Sequence, residues 1–194
     1  MRKIKSLCVY CGSSSQVDPR YRDAAARLGR VLAEARVTLV YGGGRVGLMG
    51  LLADACLQAG GTVIGVIPDF LRRAEVGHGA VTELVVVDTM HERKRAMFER
   101  SDGFVILPGG LGTLEETFEM LTWKQLGLHD KPIVVVDIAG FWQPLKALIE
   151  HVIGENFARP EARRLLSVVG DIDQVLPTIE RAAPPLVAAA SERL

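Results

Sequence analysis

The sequence predicts an α/β fold: a single Rossmann-like domain built on a doubly wound, mostly parallel sheet. Three observations predict it. Short apolar runs alternate along the chain with longer segments of helical period. The apolar runs are continuous rather than alternating, as strands covered on both faces by helices must be. Small-residue turns follow three of the runs, at residues 11–15, 42–47 and 108–113. In such a sheet ligands bind beyond the carboxyl ends of the strands, near a topological switch point.

In chain order, residues 4–10 form the first strand, followed by the turn Cys11-Gly-Ser-Ser-Ser15. Asp18 then Pro19 is an N-cap with a first-turn proline, opening a helix to about residue 35. Residues 37–41 are the second strand. Gly42-Gly-Gly-Arg-Val-Gly47 leads into a helix that Gly60 and Gly61 end. Residues 62–67 are the third strand, stopped by Pro68. Residues 68–80 are the least regular, a loop or short helix at a site mouth carrying Arg72, Arg73, Glu75 and His78. A fourth strand over 81–87 precedes a helix over 89–101.

The fifth strand, Gly103-Phe-Val-Ile-Leu107, runs into Pro108-Gly-Gly-Leu-Gly-Thr-Leu-Glu-Glu116 and an amphipathic helix with Leu114, Phe118, Leu121 and Leu126 as its apolar positions. Thr113 and Glu116 fit a capping box, with Thr113 as N-cap. A sixth strand covers 132–136 and a helix 141–153. Residues 160–183 hold a short helix, a strand over 167–169 and a last helix capped by Asp171. The domain spans residues 1–183. Residues 184–194 are Pro/Ala-rich and read as a frayed tail.

With 194 residues the chain is long enough for one domain with a large core. Its 23 basic and 23 acidic residues cancel, so no net field draws it to nucleic acid or an acidic membrane. No apolar run reaches the length of a membrane span, and the first residues lack the apolar stretch of a signal peptide. The expectation is a cytoplasmic protein with no nucleic-acid or membrane partner. Cys8 and Cys11 form a CxxC, but within and near the end of a strand, where residues three apart face opposite ways. A redox pair belongs at a helix start. Only Cys56 remains, which leaves zinc without a ligand set. No metal or cofactor is expected.

The turns supply the candidate site. Gly109, Gly110 and Gly112 allow backbone amides to approach a ligand closely, and a helix N-terminus favours an anion such as phosphate. The lysine of a P-loop is missing; Glu116, one turn into the helix, stands instead. Gly42-x-Gly44-x-x-Gly47 matches a dinucleotide fingerprint, with Asp69 in reach of a ribose. It follows the second strand rather than the first, and the turn at 109–112 competes for the phosphate. Ser13, Gly43, Gly44, Gly109, Gly110, Gly112 and Thr113 are thus candidate substrate-binding residues. Arg93 and Lys94 sit early in a helix, where cations oppose the dipole, so an anion nearby or a solvated face would account for them. Glu75, Arg93 and Glu116 together suit chemistry on a sugar. Breaking an N-glycosidic bond builds positive charge on the ribose, which a carboxylate stabilises.

Pro108-Gly-Gly-Leu-Gly-Thr-Leu-Glu-Glu116 resembles the PGGxGTxxE signature of the Lonely guy (LOG) family. Met90-His-Glu-Arg-Lys94 resembles its second signature. Residues 41–50, 9–14 and 122–132 resemble further family blocks, and the likeness runs from about residue 4 to 170. It implies a Rossmann-like phosphoribohydrolase releasing free base and ribose 5-phosphate from cytokinin riboside 5′-monophosphates or AMP. It places the catalytic Arg and Glu on Arg93 and Glu116, and further ligand contacts on Glu75, Lys94, residues 110–113 and Thr122. It also implies a homodimer or larger homo-oligomer with a purine nucleoside 5′-monophosphate as substrate. Leu111 stands where many plant members have Tyr. An AMP nucleosidase of general metabolism and a non-catalytic nucleotide or cofactor carrier are the competing readings. The lysine decarboxylase label of some relatives would need pyridoxal phosphate on a lysine, for which Lys94 beside Arg93 gives no context.

Overall fold

The computed structural model describes residues 4–74 and 77–182. Among the described residues, seven strands form one sheet: β1 (Ser6–Tyr10), β2 (Thr38–Tyr41), β3 (Val63–Pro68), β4 (Glu83–Val87), β5 (Phe104–Ile106), β6 (Ile133–Val136) and β7 (Ser167–Val169). They are accompanied, among the same residues, by the α-helices α1 (Pro19–Glu34), α2 (Gly47–Gln58), α3 (Asp69–Ala74), α4 (Met90–Glu99), α5 (Leu111–Gln125), α6 (Gln143–Gly154) and α7 (Val175–Arg181). The strand order is β4-β3-β2-β1-β5-β6-β7. Every pairing between these strands is parallel, so the sheet is wholly rather than mostly parallel. The chain builds outward from β1 to β4, then returns to the other side of β1 with β5. The switch point lies between β1 and β5.

The two faces bury separate clusters. Leu7, Val9, Leu39, Tyr41, Val105 and Val134 pack with α1, α2 and α7. Cys8, Tyr10, Val40, Phe104, Ile106 and Val135 pack with α4, α5 and α6. Successive residues of β1 therefore serve opposite cores, which is why its run is unbroken. Asp102, just before β5, accepts from the N–H groups of Lys5 (2.8 Å) and Ser6 (3.1 Å) and so fixes where β1 begins.

The expected elements are all present, and β7 matches its predicted bounds. Asp18 caps α1 by accepting from the Arg20 N–H. Asp171 caps a 3-10 turn (Ile172–Gln174) that runs into α7. The main correction concerns α5. It starts at Leu111 with Gly110 as N-cap, so Thr113 is its third residue and Glu116 lies in its second turn. The capping box is not formed there, because the Leu114 N–H already bonds the Gly110 carbonyl at 3.0 Å. A full capping box forms instead on α4, between Thr89 and Glu92. Phe118 and Leu126, expected on the buried face of α5, are 38% and 67% exposed; Thr113, Glu116, Thr117 and Met120 occupy that face. The tail expected from residue 184 lies outside the described residues.

Candidate functional site

Three turns meet at the carboxyl ends of the adjacent strands β2, β1 and β5. Their backbones are stitched together. The Gly12 N–H donates to the Pro108 carbonyl (3.0 Å), and the Leu48 N–H donates to the Gly12 carbonyl (3.0 Å). Gly47 has φ +68° and passes so close to Ser13 that a Cβ would lie 2.3 Å from the Ser13 carbonyl carbon. No side chain fits there without moving the backbone.

These turns wall a cavity of about 180 Å³, with Gly12, Ser13, Gly42, Arg93, residues 110–113 and Glu116 on its lining. The N–H groups of Leu111, Gly112 and Thr113 belong to the first turn of α5, where an α-helix gives its amides no intrahelical acceptor. Gly110 and Gly112 have open space where a Cβ would stand. Thr113 is buried, its side chain over Gly109. This rim is built to accept an anion.

Opposite the rim, α4 delivers Arg93 and α5 delivers Glu116, both almost fully buried. The Arg93 Nε donates to the Val66 carbonyl (3.2 Å) and Nη2 to the Gly42 carbonyl (3.1 Å). These two bonds hold the guanidinium over the ends of β3 and β2. Its Nη1 lies 3.8 Å from Glu116 Oε1, an ion-pair distance too long for a hydrogen bond. A buried carboxylate and a buried cation thus face one another without closing, at the mouth of the anion-accepting turn. Arg93 early in α4 is explained by the carbonyls of Val66 in β3 and of Gly42 just after β2, and by Glu116, none of which its own helix reveals.

Burial, then the charge of Glu116, pushes the Cys11 thiol far above its ordinary range. Cys8 is raised by the same two causes in the same order. Cys8 and Cys11 are free and belong to opposite cores, which gives the CxxC no shared chemistry.

The remaining candidates lie elsewhere. Gly43 and Gly44 turn away from the cavity: the Gly43 carbonyl accepts from the His78 N–H (2.9 Å), and Gly44 bridges Gly77. His78 is itself buried and reaches Asp54 at 2.9 Å. Lys94 points between α4 and α5, with Nζ 2.6 Å from Glu115 and 2.9 Å from Glu119. Thr122 lines a separate groove of about 200 Å³ between α5 and α6, beside the exposed Phe118 and Leu148. Glu75 lies outside the described residues. Sequence reasoning did not name Gly42, Met49 and Met97 as substrate-binding residues, although they line the cavity; Gly42 was marked only as the first glycine of the turn at 42–47. Among the described residues, no group of three or more His, Cys, Asp or Glu is arranged to hold a metal, and no helix is long and apolar enough to cross a membrane.

The family model described as Possible lysine decarboxylase matches residues 49–179. The chain is 47% identical over 176 residues to a cytokinin riboside 5′-monophosphate phosphoribohydrolase of Rhodococcoides fascians, covering 90% of this chain and 89% of that one. It is 42% identical over 182 residues to a protein of the same name from Arabidopsis thaliana, covering 94% and 84%. Among solved structures, the molybdenum cofactor binding protein of the phototrophic bacterium Rippkaea orientalis superposes with a TM-score of 0.70 at 22% identity, covering 93% and 97%. That last likeness is one of fold.

Proposed function

The chain belongs to the family of the cytokinin riboside 5′-monophosphate phosphoribohydrolases, and from that premise we propose how its own residues carry the reaction. It is a hydrolase of the N-glycosidic bond of N6-modified adenosine 5′-monophosphates, releasing free base and ribose 5-phosphate. The observation that carries the mechanism is the buried, unclosed Arg93–Glu116 pair beneath the open first turn of α5.

In this mechanism the 5′-phosphate sits on the amides of residues 111–113, as anions do at helix N-termini. The ribose then lies over Glu116. As the C1′–N bond lengthens, positive charge grows on the ring and the carboxylate stabilises it. A water oxygen bonds to C1′ as the bond to the base breaks. One water proton passes through Glu116 to the departing base; the other stays on the new C1′ hydroxyl. Arg93, held by two carbonyls, fixes the carboxylate and the phosphoribosyl group relative to one another. The cavity, about 180 Å³, is below the roughly 300–1,000 Å³ of a whole-ligand cleft. It suits the reacting half of the nucleotide, with the base at the open side near the exposed Leu111. Contact of Glu75, Lys94 and Thr122 with substrate is implied by resemblance alone, and that of Gly43 and Gly44 by the glycine turn at 42–47.

A pyridoxal phosphate enzyme does not fit: no lysine is among the described residues lining the cavity, and Lys94 is committed to Glu115 and Glu119. We further propose a cytoplasmic homodimer or larger homo-oligomer. The exposed apolar groove of Phe118 and Leu148 supports a partner copy there; light scattering at the mass of one 21.1 kDa chain would refute it.

The test of function is product analysis with N6-isopentenyladenosine 5′-monophosphate and AMP, beside Glu116→Gln. Preferential release of the prenylated base supports the reading; equal release from both makes the chain a general nucleotide hydrolase. Glu116→Gln should lose about 10²–10⁴-fold in rate if the carboxylate moves the proton. Nucleotide binding with no base from either substrate would overturn the enzyme.

A further inference from the structure

Resemblance makes Lys94 a ligand for substrate, yet its ammonium is not on the cavity wall. Its side chain is 8% exposed, and Nζ lies 2.6 Å from Glu115 Oε1 and 2.9 Å from Glu119 Oε1. Glu115 and Glu119 are one helical turn apart on α5 and flank Glu116. Arg93 is the residue before Lys94 on α4. The two helices that supply the facing pair are therefore joined, one residue over, by a second and closed ion cluster. Short charge-assisted bonds of this kind are the stronger class of hydrogen bond. A compact ammonium with three donors can hold two carboxylates at once, whereas a planar guanidinium fits one in a fork. Burial alone would lower the Lys94 pKa, but the hydrogen bonds it donates to Glu115 and Glu119 outweigh that and raise it. The ammonium therefore keeps its charge at neutral pH.

We propose that Lys94 is a positioning residue: by clasping Glu115 and Glu119 it fixes α5 against α4 and thereby the separation of Arg93 from Glu116, without touching substrate. This rests on the hydrolase reading above. That separation is 3.8 Å, within ion-pair reach and too long for a hydrogen bond. If the clasp opens, α5 is free to shift along α4, and a shift of about 1 Å at a reacting centre costs roughly 10²-fold in rate.

The test uses the full chain and N6-isopentenyladenosine 5′-monophosphate. Lys94→Met keeps the apolar stem; Glu115, 54% exposed, can turn to water, whereas Glu119, 21% exposed with a buried Oε2, loses its cation, so the double variant, which removes both carboxylates, is measured beside it. Lys94→Met and the double variant Glu115→Gln/Glu119→Gln should each lower kcat by roughly 10–100-fold. KM and calorimetric affinity for ribose 5-phosphate should stay within about twofold, because no ligand contact is lost. The triple variant should be no slower than Lys94→Met, as members of one unit are not additive. Lys94→Arg should recover part of kcat. The proposal is overturned if Lys94→Met weakens ribose 5-phosphate binding tenfold or more while the double variant is unchanged in kcat and KM. It is also overturned if a crystal structure of Lys94→Met keeps the Arg93–Glu116 distance, whatever the wild type hydrolyses. Failure of the hydrolase reading appears separately, as absence of base release from the wild type.

Discussion

Replacing Gly42 by Ala should cripple the enzyme while leaving it folded. The added Cβ would stand 2.2 Å from Arg93 Nη2, against the 3.4 Å at which ordinary contact begins, a shortfall of about 1.2 Å. The obstructed atom is the end of a side chain, so the backbone of β2 need not move. The guanidinium must swing instead, away from the Gly42 carbonyl that Nη2 now meets at 3.1 Å. Losing one hydrogen bond to a charged group costs about 1.5–3 kcal/mol, which at this chain length lowers Tm by several degrees and leaves the protein folded at 25 °C. A displacement of that size at the reacting centre corresponds to roughly 10²-fold in rate, or about 2.7 kcal/mol in the barrier. The assay is kcat and KM for base release by chromatography, beside a thermal melt. A Gly42→Ala protein with kcat and KM within twofold of wild type would refute the argument that carbonyl-held Arg93 sets the site.

Two further outcomes follow from buried titratable groups. His129 is pushed down to about 4 by burial, which outweighs the opposing effect of the Met120 carbonyl to which Nε2 donates; Nδ1 accepts the Lys131 N–H. A depressed histidine pKa means the unfolded chain binds the extra proton first. Its stabilisation is therefore complete above about 6.5 and is lost as pH falls through about 4. The difference in Tm between wild type and His129→Gln should shrink across that window; parallel curves would contradict the assignment. Cys56 is pushed up to about 11 by burial, and Cys8 and Cys11 higher still. A thiol-specific dye at pH 8 should therefore label none of the three cysteines in the folded protein and all three after denaturation. Fast labelling of any one in the native state would place it at the surface.

Much of this architecture is legible locally. Unbroken runs such as Phe104–Ile106 and Ile133–Val136 can only be strands covered on both sides, and Asp18-Pro19 opens α1 by chemistry confined to one turn. The neighbourhood of the site is legible for the same reason: small-residue turns after apolar runs mark the ends of parallel strands. What is hidden depends on partners distant in the chain. Thr113-x-x-Glu116 has the pattern of a cap, but the helix starts earlier, where Gly110 and Gly112 leave a rim open to an anion. Phe118 and Leu126 look buried by period and are exposed because Glu116 and Thr117 take the inner face. Arg93 and Lys94 are adjacent cations with opposite fates. One turns to the carbonyls of residues 42 and 66, the other to Glu115 and Glu119, and no spacing along α4 separates them.

The pairing of β1 with β5 has a consequence for how the molecule comes into being. The bond from the Ser6 N–H to Asp102 joins groups 96 positions apart, and Gly12 meets Pro108 across a similar gap. Closing so long a loop is an entropic toll that falls before any reward, and contacts of high sequence separation slow folding. On a ribosome, β1 through β4 can emerge and pair among themselves while half of the anion rim is still unsynthesised. Catalytic competence should therefore appear late and all at once, when α5 clears the exit tunnel and β5 docks beside β1, so that regained activity in a refolding experiment times the last long-range closure rather than the growth of secondary structure.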